Sequence, residues 1–203
     1  ELGNKVDGRI QMTIDALRTL DMEKAKYVAT SDGEIDGEEH KIEQMCMNLI
    51  ALQQPIASDL RTIAACLKIL TDMEREADQC ADICDILTIA ELDRSSLALS
   101  HVVQMMEAAH DMFRGALDVF LSRDVEKARE ICKADDNVDS MFSKIVLEVC
   151  GIITENPQNV MCDVDLIFIT KYAERMADHA TNIAEWVIYM ETGVHPDLNT
   201  KVV

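Results

Sequence analysis

Apolar residues recur every three or four positions along most of the chain, and that spacing predicts helices throughout. Val6, Ile10, Ile14 and Leu17 share one face of a first segment over about 4–20. Asp21 reads as an N-cap, with Lys24 and Ala25 just inside, and opens a second segment that continues to about residue 52. Its midpoint, SDGEIDGEE, holds two glycines and marks a weak spot. Gln53-Gln54-Pro55 ends it. A third segment spans about 57–91, a fourth about 94–121, and Asp124 caps a fifth that reaches about 154. Asn156-Pro157 breaks the chain, and a sixth segment over about 160–191 is stopped by Gly193 and Pro196. The period-two alternation of a strand is missing, so the predicted class is all-α.

The second half copies the first. DMEKAKYVATSDGEID (21–36) aligns with DVEKAREICKADDNVD (124–139) at an offset of 103, and EREAD (74–78) aligns with ERMAD (174–178) at an offset of 100. A three-residue difference between these blocks reconciles the offsets. The pattern predicts two tandem units, 1–92 and 93–203, each a three-helix bundle with antiparallel neighbours.

Composition agrees and adds a charge problem. Gly (7) and Pro (3) are scarce, as a helical protein requires. Against 19 basic residues stand 38 acids, a net charge of −19. A nucleic-acid binder needs a basic patch to displace counterions, and an anionic membrane surface needs the same, so neither is expected as a partner. No apolar run approaches the roughly 18 residues of a membrane span. No signal-peptide pattern is present, and a start at Glu1 instead of Met points to a missing leader and a shortened first helix. Seven cysteines, an odd number, suggest reduced intracellular thiols. Cys80 and Cys84 lie one turn apart, but without a CxxC or a second pair they read as small buried side chains.

Four acid-x-x-x-acid pairs stand out: Asp32/Asp36, Glu74/Asp78, Asp135/Asp139 and Glu174/Asp178. A spacing of four puts both carboxylates on one helix face. Chance supplies several such pairs in so acidic a chain. The signal is their recurrence at repeat-equivalent positions, one pair on the second helix and one on the third helix of each unit. Glu74 and Asp78 also fall within about 40° of Leu60, Ile63 and Leu67 on a helical wheel, which predicts carboxylates on a core-facing stripe. Such groups need protonation, an arginine or a cation to neutralise them. Arg75 and Arg175 each adjoin the motif glutamate and so point away from it, toward a partner helix or a neighbouring unit. Four carboxylates from two neighbouring helices form an all-oxygen ligand set suited to hard cations: Mg²⁺, Ca²⁺, Mn²⁺ or oxidised iron. Asp82, Asn182 and His179 are expected at the edge of such a site. Glu107-x-x-His110 matches half of a di-iron carboxylate motif, but a second Glu-x-x-His is missing. No phosphate loop or nucleophile elbow appears, and no catalytic residue is assigned.

The block ALQQPIASDLRTIAACLKILTDMEREADQCADI (51–83) resembles the signature of the PhoU phosphate-signalling family, with its Gln-Gln-Pro turn, Ser-Asp-Leu-Arg helix start and Glu-Arg-x-x-Asp motif. YAERMADHATNIAEWVIYMETG (172–193) resembles its second copy. The resemblance implies a flat molecule of two three-helix bundles whose E(D)xxxD motifs hold multinuclear metal clusters, and the four pairs sit where those motifs do. It implies a non-enzymatic negative regulator of the phosphate-starvation response, cytoplasmic and peripheral to the membrane. Its implied partners are the ATPase subunit of a phosphate ABC transporter and a sensor histidine kinase, and a homodimer is expected. The alternative readings are a regulatory domain of a sodium–phosphate transporter, a di-iron enzyme, and a bundle whose acids are merely solvated. This chain carries Ala77 and Ala177 where the family commonly has Gly before the motif aspartate. It carries Gln79 where the family commonly has His after it; if that His supports a metal, the first site is the weaker.

Overall fold

The computed structural model describes residues 1–31, 33–94 and 96–196. The chain folds into α1 (Leu2–Thr19), α2 (Met22–Thr30), α3 (Gly33–Gln53), α4 (Ser58–Ile89), α5 (Leu97–Ser122), α6 (Val125–Glu155) and α7 (Val160–Thr192), with a 3-10 turn at Pro157–Asn159. Among the described residues there is no strand.

The repeat is written into the helix ends. Leu20 and Arg123 both close their helices in the left-handed region, at φ 52 and 60. The next residue in each unit, Asp21 or Asp124, accepts hydrogen bonds from two backbone N–H groups of the following turn. These are two of the donors that a helix start leaves unsatisfied.

The units differ in the helix that follows. One segment was expected over about 21–52, but the first unit has two helices there, α2 and α3, where the second has the unbroken α6. An arginine caps the break. Arg9 on α1 donates to the Ser31 carbonyl at 2.5 Å and to Ser31 Oγ at 3.2 Å. The last carbonyls of a helix have no intrahelical partner, and the guanidinium satisfies this one, while Gly33, with its low helix propensity, opens the next helix. At the repeat-equivalent places stand Met112 and Ala134, and α6 runs through.

α1, α2–α3 and α4 make one bundle, and α5, α6 and α7 the other. α4 and α7 lie side by side and antiparallel at the centre. Arg61 Nε donates to the Met190 carbonyl at 3.0 Å near one end of this seam, and Cys162 Sγ lies 3.1 Å from the Glu91 carbonyl near the other. α1 crosses to α5, held by Asp7 with His110 and Arg114, and by Arg18 with Glu107. There the Leu117 side chain packs directly on Gly3, where a Cβ would meet its Cδ2 at 2.8 Å. Ile10, Ile14, Ile83, Met105, Phe113, Ile169 and Ile183 belong to one contiguous core shared by both bundles.

Both caps are expected to matter alike. Asp21→Ala and Asp124→Ala should each cost about 1 kcal/mol of unfolding free energy in urea titrations. A loss confined to one of them would show that the two helix starts are not equivalent.

Candidate functional site: the carboxylate ladder and the central seam

Two contacts set the register between α6 and α7. Cys132 Sγ reaches the Thr181 carbonyl at 4.0 Å, and the Lys171 ammonium stands 5.4 Å from the centre of the Phe142 ring. The contacts are ten residues apart on both helices, so the pairs between them follow: Asp135 lies opposite Asp178, and Asp139 opposite Glu174. On this register the four predicted carboxylates of the second unit fall along the facing sides of α6 and α7, the outcome the α6–α7 contacts allow and no closer grouping. Asp135 and Glu174 are buried, and Asp139 and Asp178 half-buried. Lys171 forms an ion pair with Glu174, and each of the four carboxylates has a partner.

In the first unit Glu74 and Asp78 are half-buried and engaged, and Asp36 is exposed. Asp32 lies outside the described residues. Thr71 stands where the second unit has Lys171, and its hydroxyl donates to the Leu67 carbonyl. Arg75 and Arg175 are both exposed. All-oxygen donors on adjacent helices have the chemistry of a hard-cation site. Yet among the described residues no three carboxylate, imidazole or thiol groups converge as a ligand set. A cation at the second ladder would have to displace Lys171 from Glu174.

The predicted core stripe through Leu60, Ile63, Leu67, Leu70, Glu74 and Asp78 is displaced, with only Leu70 of these buried. Leu60 is 42% exposed, and the face that enters the core runs through Ala65, Ile69, Met73, Ala77, Cys80, Ile83 and Leu87. The carboxylates that do enter belong to Asp72 and Glu76, which are 6% and 0% exposed. Both were missed. The more regular stripe from Ile69 to Leu87 is the signal that finds them, because Glu76 falls within it and its repeat equivalent is Met176.

Asp72 links the bundles. Its Oδ1 accepts from His179 Nδ1 at 2.9 Å and from Asn182 Nδ2 at 3.1 Å. His179 and Asn182, expected beside the ladder, thus point across the central seam. Asp82, expected there too, is hydrogen-bonded to Tyr172. Burial first, then the Asp82 charge, holds that phenol above its ordinary pKa. Asp72–Asn182 and Tyr172–Asp82 join the same two repeat positions in opposite directions, so α4 and α7 meet about a local pseudo-twofold axis. Glu107 and His110, the half di-iron motif, are bound to Arg18 and Asp7 of α1.

Glu76 is the anomaly. Neither of its oxygens meets a hydrogen-bond donor among the described residues. Burial, and then Asp72 one turn away, pushes its carboxyl well above the usual carboxylate range. Nearby Cys80 and Cys84 are equally enclosed. Burial raises both thiols, Cys84 to about 11, and Cys84 Sγ lies 3.8 Å from Thr13 Oγ1. All seven cysteines are free thiols.

Comparison with known proteins gives a consistent picture. The family model described as "PhoU domain" matches residues 1–87 and 102–187. The phosphate-specific transport system accessory protein PhoU homolog of Clostridium acetobutylicum is 34% identical over 199 residues, covering 98% of this chain and 91% of the relative. The protein of the same description from Rhizobium meliloti is 32% identical, covering 97% of this chain and 83% of its own. The crystal structure of PhoU from Pseudomonas aeruginosa superposes with a TM-score of 0.89 at 28% identity, covering 95% of this chain and 93% of that one. The phosphate transport system regulatory protein PhoU from Streptococcus pneumoniae gives the same TM-score and identity over 97% and 92%.

Glu76 makes stability depend on pH. The unfolded chain releases its proton near the ordinary value of 4.5, while the folded chain holds it to higher pH. Between those values the folded state carries more protons, so stability falls as pH rises. Glu76→Met, which copies Met176, is expected to add about 2 kcal/mol at pH 8 and clearly less at pH 4. Denaturant melts at the two pH values measure it, and an equal gain at both would count against the buried-acid reading.

Proposed function

The chain belongs to the PhoU family, and on that premise we propose that it is a negative regulator of phosphate uptake and of the phosphate-starvation response. It acts through protein contacts, as an adaptor between the ATPase subunit of a phosphate ABC transporter and a sensor histidine kinase. It works at the cytoplasmic face of the membrane, as a homodimer. The observation that carries the reading is similarity along nearly the whole chain to proteins described as accessory to phosphate-specific transport. An adaptor of this kind needs wide surfaces on a firm frame, and two bundles sharing one core supply that. Among the described residues no helix is long and apolar enough to cross a membrane, so the reading reaches the membrane through protein partners.

We further propose that the carboxylate ladders bind hard cations, with iron, Mn²⁺, Mg²⁺ or Ca²⁺ as the candidates. Support comes from the recurrence of the pairs in both units and from the opposed rungs across α6 and α7. Bound cations would lower the repulsion among the acids of each face and turn a strongly negative surface into one that a partner can approach.

Replacing Glu74, Asp78, Glu174 and Asp178 together by Ala in the native host should release alkaline phosphatase from repression in high phosphate. Continued repression, with the protein present at normal levels, would remove these carboxylates from signalling. Lys171→Met should remove the ammonium that competes at Glu174 and tighten Mn²⁺ binding by roughly tenfold. Equilibrium dialysis measures this, and an unchanged affinity would mean that the second ladder is not the site.

A further inference from the structure

A groove of about 900 Å³ runs between α5 and α6 and is lined by those two helices alone. Its floor is apolar, built from Met112, Val119, Ile131 and Val138. Gly115 keeps it deep: a Cβ there would meet the Ile131 side chain at 3.2 Å. Ala134 leaves the opposite side open, and Leu121, 79% exposed, stands at one end.

The rim is acidic. Asp111, Asp118 and Glu130 are exposed along it against a single basic residue, Lys127. Among the described residues none of the three acids forms a salt bridge. They line apolar surface within a chain that already carries −19.

The first unit serves as an internal control. At the repeat-equivalent positions Arg9 replaces Met112, Met12 replaces Gly115, Tyr27 replaces Glu130 and Ser31 replaces Ala134. There Arg9 bridges the two helices by its bonds to Ser31, and larger side chains occupy the place of the glycine and the alanine. The three-helix architecture therefore tolerates a filled seam at this place, and the open one is particular to the second unit.

The dimensions and charge select an occupant. From Ala108 to Ser122 the α5 wall is about 21 Å long, the length of about four helical turns. An apolar floor of that length between polar rims is the shape that receives an amphipathic helix through anchors at i, i+4 and i+7. Rims of one sign favour a ligand of the other and reject like charge. A second copy of this chain would bring a further −19 to the face, and an anionic lipid surface would be repelled. We propose that the α5–α6 groove is a docking site for an amphipathic helix with basic flanks, supplied by a partner protein. The inference rests on the adaptor reading only for the existence of that partner.

Peptide binding to the purified full chain tests it. The probe is a fluorescein-labelled helical peptide of about 18 residues, with leucines at i, i+4, i+7 and i+11 and lysines and arginines flanking them. The control has glutamates in the basic positions. The basic peptide is expected to bind with a Kd of order 10 μM, to weaken about fivefold between low and moderate salt, and to shift amide resonances of α5 and α6. Ala134→Trp, which fills the groove from an exposed position, should weaken it at least about tenfold. The triple variant Asp111→Lys, Asp118→Lys, Glu130→Lys should reverse the preference between the peptides. Circular dichroism checks that both variants fold. The proposal is overturned by absence of binding, by equal binding of both peptides, by indifference to Ala134→Trp, or by shifts elsewhere on the molecule. A dimer in sedimentation that Ala134→Trp dissociates would assign the groove to a second copy and overturn it as well. Phosphatase repression in the host is a separate readout, so failure here leaves the regulatory reading standing.

Discussion

Two long helices that keep ionisable groups between them govern the rest of this molecule. α4 and α7 meet antiparallel, and the Asp72 carboxylate in that contact requires His179 and Asn182 opposite it. A buried charge without such donors would cost several kcal/mol, so these hydrogen bonds tie the sliding register of α4 on α7 to a small set of positions. α1 and α5 then close over the same core, and α2–α3 and α6 are left on the outer sides. The carboxylate pairs of the second unit thus fall between an outer helix and a central one, away from the contact that joins the bundles.

Much of this is legible in the sequence, and what escaped has physical causes. Helix ends are local: Asp21, Asp124 and Gly193 terminate or start helices through bonds to their own neighbours, and a reader of the chain finds them. The four acid pairs were legible through repetition; in the second unit they come level along α6 and α7 without converging as a ligand set among the described residues. The break at Ser31 was legible only as a weak spot, because the group that caps it is Arg9, some twenty residues away and unremarkable on its own helix. The core stripe of α4 was displaced because Leu60, Ile63 and Leu67 are apolar but lie at the edge of the bundle. Composition does not separate a half-buried leucine from a buried one. Glu76 was invisible for the opposite reason: a reader expects a glutamate to face water, and only the comparison with Met176 exposes it.

The two units have used the same framework differently. The first holds a guanidinium between α1 and α2, an unpaired acid in its core and a broken second helix. The second holds a lysine in its ladder, a continuous α6 and an open groove. Total charge alone would suggest one uniform acidic surface. In the structure the acids divide into those held against a neighbouring helix, those that staple α1 to α5, and those that line an open rim.

The pseudo-twofold seam has an evolutionary consequence. A symmetric pair of identical chains must present every residue twice, so a favourable contact away from the axis always comes with its mirror image. Joining both copies in one polypeptide lifts that obligation. Asp72 faces Asn182 on one side of the axis, while on the other the corresponding places hold Tyr172 and Asp82, a bond of different chemistry and strength. His179 likewise has Gln79 as its counterpart. Each half of the gene is then free to drift toward its own role, provided that the shared seam still closes.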